Sequence, residues 1–373
     1  MNIVPPLDLK AEYVEIESQI KKRVDRFFKS GRYILGSEVD EFERNFAKFI
    51  GTKYAVGVAS GTDAILLPLM AHGVKPGDEI ITTPFTFIAT ATSIVRLGAK
   101  PVFVDIEPNT YNLDPDLIKR KITSKTRGII VVHLYGNPCQ MNEIRSIAKR
   151  HKLFVIEDCA QACGSVYRGK KVGSLSDAGA FSFYPTKTLG AAGDAGIITL
   201  NDRSMYEAIR SLRHHGDDGC HHAYTHVRVG INSRLDEIQA AVLNVKLKFL
   251  PKWNQQRRNR AAYYTQKIKN LRNSSIVPPK EVAGTQAVYH QYVLRIQGGK
   301  RDRALGVLRG NGVQSAVYYP SPLHLQPCFS YLRYRKGDFP VAEQASREVL
   351  SLPLYPQIRK SHQDQVLNSL SLF

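Results

Sequence analysis

The chain has few cysteines, no long uninterrupted apolar run and no arginine-rich tail, and each scarcity removes a class of protein. Its five cysteines in 373 residues, Cys139, Cys159, Cys163, Cys220 and Cys328, are odd in number and too scattered to staple a fold of this size. They fit a reducing compartment. No stretch reaches the roughly 20 apolar residues needed to span a bilayer. The opening MNIVPPLDLKAEY lacks the basic start and apolar run of a secretory signal. A cytoplasmic protein with no membrane partner is expected. Internal repeats and low-complexity tracts are missing as well.

What is present is a globular composition, 43% hydrophobic and 23% charged, on a length that suits one large domain with a smaller second one. The formal net charge of +19 admits three readings: a nucleic-acid binder, a protein handling a polyanionic small substrate, or a general basic bias. The basic residues spread over 21–26, 145–152, 246–260 and 295–309 without an RNA-binding aromatic signature, and are read as solvated helix faces.

From Tyr54 to about Leu200, short Val/Ile-rich runs alternate with helical ones: YAVGVA then SGTDAILLPLMAHG, DEIITT then FTFIATATSIVRLG, KPVFVDI then DPDLIKRKI, RGIIVVHLYG then NEIRSIAKRHK, and LFVIED. Continuous apolar strands bounded by Gly and Pro predict a mostly parallel sheet sandwiched by helices, an α/β fold. Ligands in such folds gather at the carboxyl ends of strands, where Ser60, His133, Asp158 and Ser182 fall. A long helix is expected from near Arg234, with Leu235, Ile238, Val242, Val245 and Phe249 at helical steps and a break or kink at Pro251. It bridges a large domain, residues 1–245, and a small α+β domain, residues 246–373. The small domain carries AVYHQYVLRI, a helix near 301–309, VQSAVYY and a helix near 342–352. The first fifty residues, with the helical run VDEFERNFAKFIG, are expected to pack across the large domain or onto a partner chain.

Three segments carry chemistry. In AGAFSFYPTKTLGAAGDAG, residues 178–196, Lys187 follows an apolar β-type run and precedes a glycine-rich turn. Phe181, Phe183, Tyr184 and Pro185 favour a partly dry setting, which lowers an ammonium pKa and frees a nucleophile for Schiff-base chemistry; a snorkelling lysine is the plainer reading. In VASGTDAI, Ser60 and Asp63 resemble a capping box, and Gly61 and Thr62 expose N–H groups at a helix N-terminus, ready for a phosphate or serving only as a cap. LFVIEDCAQA ends a buried strand in two carboxylates, and alternation aims only one of Glu157 and Asp158 into a site. A buried Asp158 needs a cationic partner, which a protonated aromatic ring nitrogen would supply; otherwise it caps the following turn.

The ordered set SGTDAI, TTPFTFIATATSI, KPVFVDI, VVHLYGNP, VIEDCAQACGS, FSFYPTKTLGAAGDAG, VRVGINSRLDEIQAAVL and YYPSPLHLQP resembles the DegT/DnrJ/EryC1/StrS family of pyridoxal phosphate (PLP) dependent sugar aminotransferases over nearly the full length. The resemblance implies the PLP-dependent transferase fold type I, with a seven-stranded-type sheet. It implies that Lys187 carries PLP through an imine and then serves as general base and acid, with Asp158 on the pyridinium nitrogen. Gln161 would bond the 3′-oxygen, Phe87 would stack on the ring, and Gly61, Thr62 and Ser182 would hold the phosphate. Asn232 and Arg234 would reach in from a neighbouring subunit, making a homodimer with shared sites. Thr188 and Ala195 depart from the family pattern without removing a catalytic group.

Similarity to members that make 3-amino sugars implies a nucleotide-linked keto hexose, on dTDP or UDP, aminated at C3 by an amino acid donor, with L-glutamate expected, for amino-sugar, lipopolysaccharide or other cell-surface polysaccharide biosynthesis. His215, Arg234, Tyr318, Tyr319 and His324 are the substrate candidates. No metal is expected: the run from His214 to His226 lacks the paired spacing of structural zinc sites. Cys159 and Cys163 are expected as small core residues. The alternatives are an inactive or regulatory relative binding nucleic acid through its basic surface, and a PLP aldolase or desulfurase.

Overall fold

The computed structural model describes residues 3–217, 219, 224–271 and 273–373. Seven strands form the central sheet: β1 (Tyr54–Val58), β2 (Glu79–Thr82), β3 (Lys100–Phe103), β4 (Thr126–Val132), β5 (Phe154–Asp158), β6 (Ala178–Ser182) and β7 (Gly196–Leu200). Their spatial order is β1-β7-β6-β5-β4-β2-β3. Only β7 runs against its neighbours; the other pairings are parallel. Ile129, Ile130 and Val131 of β4 are all buried, as are Val155 and Ile156 of β5. Consecutive buried residues point to opposite faces, so helices must cover both sides, as the unbroken apolar runs required.

The helix over Ser37–Ile50 begins without a side-chain cap of its own. Glu237, two hundred residues on, supplies it by accepting from the N–H groups of Gly36 at 2.6 Å, Glu38 at 3.0 Å and Val39 at 2.9 Å. A buried carboxylate on unpaired helix N–H groups satisfies both parties and pins the N-terminal segment to the long helix. The helix over Leu9–Ser30 packs along that same long helix, while Val4, further upstream, pairs with Val313 in the C-terminal half. The N-terminal segment therefore touches both halves.

Two expectations are corrected. The long helix runs unbroken over Glu237–Asn270 with Pro251 inside it, so the break expected there does not occur. Proline there removes one N–H, but apolar packing of Leu247, Leu250 and Trp253 on either side holds the helix together. The helix expected near 342–352 spans Pro340–Glu348 and gives way to a strand, Val349–Leu352. That strand pairs antiparallel with Tyr292–Ile296, itself paired to Ile276–Val277, and tertiary pairing overrides helical periodicity. VQSAVYY makes only isolated bridges, at Val313 and Ala316.

Candidate active site

β1 and β6 run parallel to β5 across the sheet, so the chain leaves all three at one edge, and there a cavity of about 820 Å³ opens. Its walls include Ser60, Gly61, Thr62, Phe87, Asp158, Gln161, Ser182 and Lys187 from the central sheet side, and His290, Gln291, Tyr318 and Tyr319 from the C-terminal half. Segments far apart in sequence converge because each strand ends at the same level.

The alternation at the end of β5 separates its two acids. Glu157 turns away from the cavity and is fully satisfied: Oε1 accepts from Leu175 N–H (2.9 Å) and Ser176 Oγ (3.0 Å), Oε2 from Gly173 N–H (2.8 Å) and His133 Nε2 (3.0 Å). His133 Nδ1 accepts from Cys139 N–H at 3.0 Å, so this histidine is a neutral structural tether and not a cavity residue. Ligand atoms of His133, Glu157 and Cys159 lie within 4.8 Å of one another, yet these bonds engage both ring nitrogens of His133 and both oxygens of Glu157. Cys159 and Cys163 are buried core thiols, and burial pushes both pKa values up.

Asp158 faces the cavity. Thr90 Oγ1 donates to its Oδ2 at 2.8 Å and Ala160 N–H to its Oδ1 at 3.1 Å. Burial pushes the carboxyl pKa up, and the two hydrogen bonds, then the Lys187 charge, pull it only part of the way back. A carboxylate so placed gains most from a cation brought into the cavity. Lys187, half-buried, sits in the loop after β6, where its N–H donates to Tyr184 O at 2.8 Å. Its Nζ makes no hydrogen bond to the described residues. Burial lowers its pKa, opposed by the charge of Asp158. A larger fraction of neutral amine at a given pH follows, which is what a nucleophile needs.

The glycine at the cup entrance has a steric reason. A Cβ on Gly61 would stand 2.5 Å from Ser182 Cβ and 3.0 Å from Ser182 Oγ. Ser60 Oγ caps the helix by accepting from Asp63 N–H at 3.1 Å, and Gly61 and Thr62, the first two residues of that helix, line the cavity. Asp63 does not complete a capping box; its carboxylate accepts instead from Ser233 Oγ at 2.8 Å, and Ser233 Oγ accepts from Ala59 N–H at 3.1 Å. Gly61→Ala is expected to weaken binding of a phosphate-bearing ligand about tenfold or more, because the helix N-terminus and Ser182 must separate. Equilibrium titration against wild type checks it, and equal affinity counts against the cup.

Phe87 is 58% exposed on the cavity wall, an apolar face open to a flat ring. Gln161 is held by Tyr135 N–H on its Oε1 at 2.6 Å and donates from Nε2 to the Tyr319 hydroxyl at 3.1 Å. A buried carboxyl facing the cavity, a lysine whose Nζ bonds none of the described residues, an exposed aromatic face and a helix N-terminus with a hydroxyl beside it together fit PLP.

The remaining expected residues lie elsewhere on this chain. Asn232 is exposed, and Arg234 bonds the Nδ1 of His214 at 3.2 Å; neither lines the cavity of its own chain. His214 stays below its usual pKa, through burial first and the Arg234 charge second. His215 is exposed and outside the cavity wall. His324 is buried against Phe339 with Nε2 on Glu343 at 3.1 Å, and does not reach the cavity either. Within the 214–226 run, Asp218 and residues 220–223, including Cys220, lie outside the described residues. Reading the sequence missed Thr90, His290, Gln291 and the Tyr135 support of Gln161. Thr90 stands three places after Phe87 in the same segment, whereas a lone His290 carried no signal.

The profile of the DegT/DnrJ/EryC1/StrS aminotransferase family matches residues 14–371. A Geobacillus stearothermophilus chain named pleiotropic regulatory protein is 47% identical over 99% of this chain and 98% of its own. The dTDP-3-amino-3,6-dideoxy-alpha-D-galactopyranose transaminase of Aneurinibacillus thermoaerophilus is 43% identical over 100% and 99%. The crystal structure of S. venezuelae DesV in complex with a ketimine intermediate superposes with a TM-score of 0.96 at 39% identity, covering 100% of this chain and 98% of that one.

Proposed function

The chain belongs to the DegT/DnrJ/EryC1/StrS aminotransferase family, and from that premise we propose that it moves an amino group from an amino acid, L-glutamate, to C3 of a nucleotide-linked keto hexose. The observation that carries the reading is the pairing, in one cavity, of Lys187, whose Nζ bonds none of the described residues, with a buried Asp158 carboxyl whose pKa burial raises.

Bound PLP supplies an electron sink for the carbanion formed at the donor's Cα. The protein supplies the rest. Asp158 holds a positive charge against the far side of the ring site, and Thr90 and Ala160 fix its oxygens. Phe87 covers one face, Gln161 offers Nε2 at the ring edge beside Tyr319, and Gly61, Thr62 and Ser182 take the phosphate. Lys187 Nζ takes the proton from the donor's Cα and, in the second half-reaction, delivers one to the sugar carbon that receives the amine. Tyr318 and Tyr319, which line the cavity from the C-terminal half, would meet the sugar.

Asn232 and Arg234 would complete the site of a second copy. Supporting this, Ile34 bridges to Asp236 next to them, and Phe28, Tyr33, Ile34 and Val229 expose apolar area around that segment, at 56%, 52%, 49% and 93%. A monomer that keeps full turnover in sedimentation-matched assays would remove the dimer from this reading. The division into 1–245 and 246–373 places the boundary inside the long helix, which both halves share. Buried free thiols at Cys139, Cys159 and Cys163 suit a cytoplasmic setting.

The test is a panel of dTDP- and UDP-linked keto sugars offered with PLP and glutamate and scored by mass. One aminated product with parallel double-reciprocal lines is expected, since one lysine serves two half-reactions in turn. Intersecting lines would count against the two-step scheme, whereas no product alongside salt-dependent DNA retention would favour the regulatory alternative that the net charge of +19 leaves open.

A further inference from the structure

Four polar side chains of the long helix, Gln239, Lys246, Asn254 and Arg257, do something that its apolar packing does not require. At seven-, eight- and three-residue spacings they fall within roughly 80° of one another around an α-helix. Each bonds the backbone of a loop at the cavity. Gln239 Oε1 accepts from Ala192 N–H at 2.8 Å, and Lys246 Nζ donates to Gly190 O at 2.7 Å. Asn254 Nδ2 donates to Cys163 O at 3.0 Å, two residues after Gln161. Arg257 donates to Leu354 O at 2.9 Å and to Tyr289 O and His290 O at 3.4 Å, on the opposite wall.

The lysine loop transmits whatever happens at Gly190. Ala191 N–H donates to Phe183 O at 2.8 Å, and a Cβ on Gly190 would stand 2.2 Å from Pro185 O, so the two ends of the Pro185–Gly190 loop are in contact. Lys187 sits between them. Its position is therefore set by the ends, and one end hangs on Lys246. Lys246 also pairs with Glu12 of the N-terminal helix at 2.5 Å, and both side chains are buried. For stability alone such a pair offers little over apolar side chains of the same volume. The third bond, to the Gly190 carbonyl, is what an apolar replacement cannot make.

We propose that Lys246, held by Glu12, is a positioning residue for Lys187, and that this face of the long helix sets the lysine loop in register with the His290 wall across the cavity. The inference rests on Lys187 being the reacting lysine.

Four variants of the full chain test it: Lys246→Met, Lys246→Arg, Glu12→Gln and the control Lys187→Ala. In the cofactor-free protein, amide exchange at 187–192 is expected to speed up about tenfold or more in Lys246→Met, with β4 and β5 unchanged. In the loaded enzyme its kcat should fall about 10- to 100-fold with little change in KM for the sugar, since a misplaced lysine affects the transfer more than the binding. Lys246→Arg, which keeps a donor and the charge, should recover most of both. Glu12→Gln should move both in the same direction by less, and it decides the matter if Lys246→Met does not fold. Lower thermal stability with loop exchange and kcat within about twofold of wild type would overturn the proposal. A Lys187→Ala protein that keeps wild-type cofactor absorbance would instead sink the lysine assignment beneath it.

Discussion

Lys187→Ala is expected to lower turnover by about 10⁴-fold or more, equivalent to about 5.4 kcal/mol of barrier, while the protein stays folded. The size follows from the two roles proposed for it, lost at once: the covalent hold on the cofactor and an uncommitted base in the cavity. Its Nζ has no hydrogen bond to the described residues, so its removal breaks no side-chain bond among them. It removes a desolvated amine, and the sign of the stability change follows from that. Because burial holds the folded pKa below the ordinary lysine value of 10.5, the unfolded chain binds the proton more readily over that window. The wild type thus bears a penalty that is full below the depressed pKa and fades as pH rises toward 10.5. Lys187→Ala should be the more thermally stable protein at neutral pH, with the gap closing in alkali. Melting curves across pH, beside single-turnover rates, check both statements. A variant that turns over within tenfold of wild type contradicts the role.

Asp158→Asn is expected to cost about 10³-fold in kcat/KM, or about 4 kcal/mol. The amide matches the carboxylate in shape and can still accept the Ala160 N–H, and the Thr90 hydroxyl can turn to meet the other atom, so the loss isolates charge. Without the carboxylate a cation brought against that wall is left without a partner in a dry place, and truncating one member of a buried pair is expensive. Linkage provides a second readout. Burial raises the folded pKa of Asp158, so its ionised form costs stability at neutral pH, and the cost is relieved as pH falls through that raised pKa. A bound cation relieves it too. Adding PLP should raise the melting temperature of the wild type more than that of Asp158→Asn at neutral pH. Equal shifts would mean that the acid does not sense the ring.

Much of this site was legible in the chain because strand periodicity and turn chemistry are local. Unbroken Val/Ile runs gave away a two-sided sheet, and alternation at the end of LFVIED put one acid on each face: Glu157 went into the structural network and Asp158 into the cavity. Gly61, Thr62 and Ser182 met at the cup because strand ends in such a sheet share one level. What stayed hidden is set by contacts between distant segments. Nothing near Pro251 tells that packing will carry the helix through it, and VLSL reads as helix until Tyr292–Ile296 is there to pair with it. Asp63 looked like a capping-box partner, yet Ser233, 170 residues away, takes its carboxylate. His324 is a site candidate by family resemblance alone, and only the fold shows it bonded to Glu343. The braces from Lys246 and Arg257 were likewise invisible, since a basic run on a helix reads as a solvated face until its inner side is seen.

The most direct measurement is reduction of the PLP-loaded protein with borohydride followed by peptide mass mapping. Irreversible attachment of the cofactor to the peptide that contains Lys187, and its loss when glutamate is added before the reductant, is the predicted result. Cofactor mass on another lysine, or on none, would contradict the account.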